Sequence, residues 1–270
     1  MSISKLIGRG NTAEVFELSN KEVLKLFYEK IPFEYIEKEY ETSRVINQLV
    51  IPSPNVKELT ELDNKRGIIY ENIIGRSFTQ VLSSQPLLLK KNAHFFANLQ
   101  ASFHEKRTDK LPSQKEYLSQ NISGTDLLNK EEKELISNYL MQLPGGNKVC
   151  HGDYHSDNII MMDGEAKVLD WMTATSGNPC GDVARTLIVM RYSYLPPDMP
   201  KATKLFIQTV RKLFTRFYLN SYMELTNTSA ESIDEWLLPV MAARLVEGVP
   251  EPEKQFLLRK IRYKLLPPVY

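Results

Sequence analysis

The sequence predicts an α+β fold of two lobes: a small antiparallel β-sheet lobe over residues 1–74 and a larger, mainly helical lobe over residues 75–270. Three observations predict it. The chain opens on short β-rich runs separated by turn-forming residues. From Phe78 onward the apolar residues recur at helical spacing. Within that helical region Asp163-Gly164 separates Ile159-Ile160-Met161-Met162 from Ala166-Lys167-Val168-Leu169, a strong hairpin signal.

In order, Leu6-Ile7, Val15 to Leu18 and Val23 to Phe27 read as strands, divided by Gly8-Arg9-Gly10-Asn11 and Ser19-Asn20-Lys21. Pro32 opens a helix that runs to Gln48, with Tyr35, Ile36, Tyr40, Val45 and Ile46 near helical spacing; Pro52 and Pro54 end it. Val56 to Leu62 and Gly67 to Ile74 read as two further strands around a turn at 63–66, and Gly75-Arg76-Ser77 as a crossover. Ala93 to His104 is a helix with Phe95, Phe96, Leu99 and Phe103 on a buried face, and Lys130 to Leu143 is another, closed by Pro144-Gly145-Gly146. After Gly181 four more helices are expected, over 183–190, 201–225, 233–246 and 253–265.

Hydrophobic residues make up 42% of the 270 and charged residues 25%, the balance of an ordinary globular chain. A formal net charge of +1 supplies no field that would favour nucleic acid or a membrane surface. No apolar run approaches the ~20 residues of a membrane helix, and the first residues have no signal-peptide pattern. Cys150 and Cys180 make no disulfide framework, so a reduced, cytoplasmic setting is expected.

The chemistry concentrates in Val149-Cys150-His151-Gly152-Asp153-Tyr154-His155-Ser156-Asp157-Asn158 and in Val168-Leu169-Asp170-Trp171. An Asp, an Asn and a second Asp in this order suit phosphoryl transfer. Asp153 would orient an acceptor hydroxyl, while Asn158 and Asp170 would offer hard oxygens to Mg2+ on a nucleotide. Because the transition state is loose, positioning counts for more than strong proton abstraction. Gly8 and Gly10 stand between two strands, where backbone N–H groups can approach phosphate oxygens without a Cβ in the way. No Gly-Lys-Ser/Thr follows, and a strand rather than a helix comes next, so the loop is neither a Walker A nor a Rossmann turn.

Lys25 lies inside an apolar strand and needs a partner, because an unpaired buried ammonium is costly. Its functional reading places it on the α- and β-phosphates of ATP. Glu34, Glu37, Glu39 and Glu41 are the candidate partners, with Glu39 favoured. His151 is expected to brace the loop, and His155 to pack or to approach the acceptor. Asp182 is expected to cap a helix N-terminus and to anchor the loop backbone. Both cysteines read as small apolar fillers. The three aspartate and asparagine side chains at 153, 158 and 170 are expected to converge on the loop at 8–13.

These residues resemble the aminoglycoside phosphotransferase family, part of the protein-kinase-like superfamily that includes choline and fructosamine kinases. The match is carried by His151-Gly152-Asp153 through Asn158-Ile159-Ile160, by Leu169-Asp170-Trp171 and by Gly181-Asp182-Val183-Ala184. Glu39, Pro52-x-Pro54 and Tyr70-Glu71-Asn72-Ile73-Ile74-Gly75 support it, and it extends over about residues 3 to 190.

The resemblance implies a protein-kinase-like fold, with ATP or GTP under the Gly8 loop and its base against the backbone of Glu71 to Ile73. It also implies an acceptor pocket built from the helices after Met190. Trp171-Met172 after Asp170, and the lack of an Ala-Pro-Glu segment, depart from protein kinases and favour a small-molecule hydroxyl acceptor such as a sugar, an amino alcohol or an aminoglycoside-like compound. Ala13 replaces the third glycine, and Ser156-Asp157 stands where relatives often carry Pro-Gly. From Lys201 on, eleven basic residues against seven acidic lean away from a polycationic acceptor. A kinase-fold binding protein without turnover and a kinase acting on protein are the competing readings.

Overall fold

The computed structural model describes residues 5–10, 12–62 and 64–266. Asn11 of the glycine loop and Asp63 of the expected 63–66 turn lie outside the described residues. The first elements are β1 Lys5–Arg9, β2 Ala13–Ser19, β3 Glu22–Phe27, α1 Phe33–Gln48, β4 Val56–Leu62, β5 Lys65–Glu71, β6 Arg76–Ser77 and α2 Phe78–Ser84. There follow α3 Leu89–His104, α4 Gln114–Gly124, α5 Lys130–Gln142, β7 Lys148–Cys150, β8 Ile159–Met161, β9 Ala166–Val168 and β10 Thr175–Gly177. The last are α6 Pro179–Tyr192, α7 Lys201–Thr226, α8 Ala230–Arg244 and α9 Glu251–Leu265. The fold is α+β, an antiparallel sheet followed by mostly helical chain.

Contacts group the chain into two compact units that the expected division at residues 74 and 75 does not match. One holds the chain up to Ser84 together with Ser156–Thr173; the other holds Gln85–His155 and the chain from Ala174 onward. The difference lies in the hairpin of β8 and β9, which is far along the sequence but pairs through β8 with β6.

In the first unit the sheet order is β1-β2-β3-β5-β4, every pairing antiparallel. Strand parity decides its two faces. Leu24 and Leu26 of β3 pack with Ile69 on one face, while Phe27 packs with Ile68, Ala13 and Ile36 of α1 on the other. Lys25 has the parity of Phe27 and so points to the side where α1 lies. On α1 the buried stripe is Ile36, Glu39, Thr42, Ser43 and Ile46. Tyr35, one of the apolar residues read near helical spacing, is exposed, and polar residues occupy the stripe instead.

β5 stops at Glu71, short of the expected Ile74, where its register with β4 has already reached Val56↔Tyr70. Gly75 then passes against β8. A Cβ there would overlap the Met161 carbonyl and stand 2.7 Å from Ile160 Cγ2, which explains the glycine. Lys65 and Arg66, expected in a turn, belong to β5; the reversal uses Asn64 in the left-handed region at φ 62°. Asp163-Gly164 forms the predicted hairpin, with Gly164 at φ 83° and Met162 N–H donating to Glu165 O at 2.9 Å.

In the helical unit β7 pairs with β10, two short strands the sequence reading did not separate from loop. Phe96 and Phe103 of α3, Tyr154, and Phe214, Tyr218 and Tyr222 of α7 form a buried aromatic core. Asn129 and Glu132 make a reciprocal capping box at α5. Asn178, not Asp182, caps α6, accepting from Cys180 N–H at 2.9 Å. Pro179 can take the first helical position without losing a backbone bond, so α6 begins before the expected Val183 and Asp182 falls within its first turn. Among the described residues no helix is long and apolar enough to cross a membrane.

Candidate active site

In the sheet unit Lys25 Nζ lies 2.6 Å from Glu39 Oε1 and 3.8 Å from Asp170 Oδ1. Of the four glutamates weighed as partners, Glu34, Glu37 and Glu41 are exposed and Glu39 is buried against the sheet. Tyr70 Oη also donates to Glu39 Oε1, at 3.1 Å, and shares a hydrogen bond with Ser43 Oγ. Glu39 Oε2 is buried with no partner. Burial alone would lower the Lys25 pKa, but the charges of Glu39 and Asp170 outweigh it and raise the lysine's pKa overall. Burial pushes the Glu39 carboxyl up, against the pull of Lys25. The short contact and the raised lysine make this an ion pair.

Asn158 and Asp170 stand at adjoining ends of one ribbon. Ile159 pairs with Val168, and Leu169 N–H donates to Asn158 O at 2.8 Å, carrying the ladder one step further. Val168 N–H is held by Pro52 O, so the Pro52-x-Pro54 segment fixes β9 immediately before Asp170. Asp170 itself sits at φ 58°, a left-handed conformation that costs a residue with a Cβ about 1 kcal/mol or more. Its side chain is 49% exposed.

The glycine loop is tied down internally: Gly10 N–H donates to Ala13 O at 2.9 Å, and Tyr28 Oη donates to Gly10 O at 3.2 Å. Neither Gly8 nor Gly10 adopts a positive φ, and a Cβ on either would make only ordinary contacts, 3.6 and 3.7 Å. The protein's own packing therefore does not require these glycines. Glu71 N–H is spent on Asn55 O, and its carboxylate takes two bonds from Asn55; Ile73 is half-buried beyond the end of β5.

In the helical unit Asp153 follows Gly152, whose φ of 80° turns the chain sharply after β7. Asp153 Oδ1 accepts from Arg185 Nη2 at 3.1 Å, and Oδ2 lies 3.4 Å from His155 Nε2. Burial would raise the Asp153 carboxyl, but the hydrogen bond with His155 and the charge of Arg185 overcome it and hold the group well below the usual carboxylate range. The loop backbone is gripped from beneath. Asp182 Oδ1 accepts Gly152 N–H at 2.6 Å, and its Oδ2 accepts from Gln100 Nε2 and pairs with His104 Nε2, both at 3.0 Å. His151, fully buried, receives Asp153 N–H on Nδ1 at 3.2 Å. Tyr154 Oη donates to Phe96 O. Cys150 is buried and Cys180 half-buried, both free, with burial raising both thiols.

Arg185, Glu247, Gln100 and His104 escaped the sequence reading. Arg185 had a signal of the same kind as Lys25, a cation inside an apolar run from Val183 to Val189. His104 and Gln100 had none, since an end-of-helix histidine is ordinary.

The donor set fits magnesium on a nucleotide. Among the described residues no three His, Cys, Asp or Glu side chains cluster as a metal cage. One carboxylate and one amide oxygen are the sparse protein share that Mg2+ takes when phosphates and water complete its shell.

The family model described as the phosphotransferase enzyme family APH matches residues 4–202, and the chain belongs to that family. Its fold is protein-kinase-like. It is similar, with a TM-score of 0.63 and 14% identity over 97% of this chain and 88% of the other, to amicoumacin kinase hAmiN solved with AMP-PNP, Ca2+ and Ami. It is also similar to APH(2'')-IIa in its streptomycin–ATP ternary complex, with a TM-score of 0.60 and 15% identity over 97% and 92% of the two chains. A curated relative, acyl-CoA dehydrogenase family member 10 of Mus musculus, is 26% identical over 217 residues, 68% of this chain. The match spans only 20% of that relative's length.

Proposed function

We propose that this protein transfers the γ-phosphoryl group of ATP, with magnesium, to a hydroxyl of a small molecule. The observation that carries the reading is the Lys25–Glu39 ion pair with the Asp170 carboxylate 3.8 Å away. A buried pair with an orphaned carboxylate oxygen is a poor way to stabilise a sheet, whereas it is a good way to aim an ammonium at phosphate oxygens. Bound MgATP would supply the phosphoryl group and the charge neutralisation. Lys25 would hold phosphate oxygens, and Asn158 and Asp170 would hold the metal. The N–H groups near Gly8 and Gly10 would line the phosphates, and the chain from Glu71 to Ile73 would meet the base.

Asp153 is kept ionised by its neighbours, so it is a weak base and a steady hydrogen-bond acceptor. That suits a group that aims the acceptor hydroxyl and receives its proton late, as a loose transition state requires. The acceptor class is a hydroxyl-bearing metabolite: a sugar, an amino alcohol or an aminoglycoside-like compound.

The test is ADP release from MgATP across sugars, amino alcohols, nucleosides and aminoglycosides, with product phosphorylation confirmed by mass. Asp153→Asn is expected to lose turnover by 10²-fold or more while nucleotide affinity stays within a few-fold. Turnover retained in that variant would overturn the role of Asp153. No MgATP binding in the unaltered protein would overturn the kinase reading altogether.

A further inference from the structure

One face of α6 grips three consecutive loop residues. Asp182, Arg185 and Thr186 lie at i, i+3 and i+4, hence on one side of the helix. Asp182 takes Gly152 N–H, Arg185 takes the Asp153 carboxylate, and Thr186 Oγ1 donates to Tyr154 O at 3.0 Å. Two of these contacts hold backbone. Only Arg185 holds the side chain that would meet the acceptor.

Arg185 is itself immobilised. Its Nη2 donates to Glu247 Oε2 at 2.9 Å as well as to Asp153, and its Nη1 donates to Glu247 Oε1. Glu247 Oε2 also accepts from Arg244 Nη1 at 2.8 Å. Arg244 is paired to the buried Glu253 through Nε at 2.9 Å and Nη2 at 2.8 Å, and Glu253 Oε2 accepts Tyr194 N–H at 3.1 Å. A chain of alternating charge thus runs from Asp153 to the start of α9 and the segment between α6 and α7. Side-chain exposure is 12% at Arg185 and 8% at Arg244, so solvent screens its centre little. Such a chain is costly to build for stability alone, and it ends at the Asp153 carboxylate.

We propose that Arg185 is a positioning residue: locked by Glu247, it fixes Oδ1 of Asp153 and with it the direction in which the acceptor hydroxyl is held. The proposal rests on the kinase reading for the word acceptor, but not for the clamp itself. His155 and His151 of its own loop also face Asp153. Tyr117 of α4 stands close enough to feel the charges of Arg185, Glu247 and Asp153. With Arg185 removed, the histidines remain and the guanidinium charge is lost. The carboxyl must then rise, moving the acid limb of the rate profile to higher pH.

The experiment has two arms. In the first, Arg185→Met, Arg185→Lys and Glu247→Gln are compared with the unaltered protein on whichever acceptor the screen returns. Expected for Arg185→Met is a kcat lowered roughly 10–100-fold, the size of a misplacement effect. The KM for MgATP should be nearly unchanged, and the acid limb displaced upward by about one pH unit. Arg185→Lys and Glu247→Gln should fall between, and in a fourth variant, Arg185→Ala, added guanidinium should restore part of the lost kcat.

In the second arm, the Asp153 side-chain carboxyl is followed by 13C NMR against pH, assigned with Asp153→Asn. It should titrate at higher pH in Arg185→Met, or in the neutral and more polar Arg185→Gln should the methionine variant not fold. An unchanged titration and an unshifted acid limb would overturn the proposal, as would a kcat that rises on removing Arg185. If no acceptor is phosphorylated at all, the kinase reading fails while the carboxyl titration still decides the clamp.

Discussion

Lys25 and Glu39 are 14 residues apart and meet because β3 and α1 each present one buried polar group at the same place in an apolar face. Removing the lysine leaves Glu39, 3% exposed, with the Tyr70 hydroxyl as its one hydrogen-bond donor among the described residues. Lys25→Met should destabilise the fold by roughly 3–5 kcal/mol, as breaking a buried pair does. Lys25→Met with Glu39→Gln should recover part of that loss, giving a clear coupling in a double-mutant cycle read by chemical denaturation. Additive losses would show that the two side chains do not depend on each other.

Asp182 belongs to the same scale. Burial would raise its carboxyl, but the bond to His104, with the charges around it and Gly152 N–H, lowers it overall. A carboxyl held lower in the folded state adds stability that is complete above the unfolded pKa, about 4, and is lost as pH falls through the folded value. Asp182→Asn should therefore flatten the acid side of a Tm-against-pH curve. It should also cost about 3 kcal/mol at neutral pH, because an amide would turn donors toward Gln100 and His104. An acid limb as steep as in the unaltered protein would contradict this.

At the scale of elements, the β8–β9 hairpin joins the sheet unit through a two-residue strand, and Gly75 lets β6 lie against Met161. Gly75→Ala should shift backbone in both strands and lower Tm by several degrees, roughly 1–3 kcal/mol of overpacking. Because Asn158 and Asp170 flank that hairpin, the same variant should weaken MgATP affinity more than ADP affinity without metal, measured by calorimetry. Equal losses of the two affinities would separate the hairpin from the proposed metal ligands. The helix α6 was foreseen but started too late, because Asp182 looked like a cap. The true cap, Asn178, is followed by a proline whose value at a first helical position is easily read as a break. Asp182 was thereby freed for the loop.

At the scale of the whole molecule, the family match over residues 4–202 covers the sheet and the loop-bearing segments, while α8, α9 and nearly all of α7 fall outside it. MgATP should slow amide exchange most in β1, β2 and the 156–173 segment, and least in α8 and α9, when followed by mass spectrometry. Uniform protection would argue against a nucleotide held by Lys25 and Asp170. Partition into function and fold also explains what could be read early. Strands, hairpin and most helices follow from periodicity and turn chemistry, which are local. Glu39 was favoured as the lysine's partner among four glutamates, and burial on α1 gives the physical reason.

What the amino-acid sequence determined by itself was the order of the main strands and helices and the family, and it marked the residues proposed here for phosphoryl transfer, because turn residues, spacing and short motifs act over a few positions. Only the tertiary structure decided which charges hold Asp153, and that β8 and β9 pair with β6 and group with the first unit. Arg185 is 32 residues from Asp153, and Glu247 is 62 further on. No local pattern encodes a pairing that burial and chain closure alone bring within 3.1 Å.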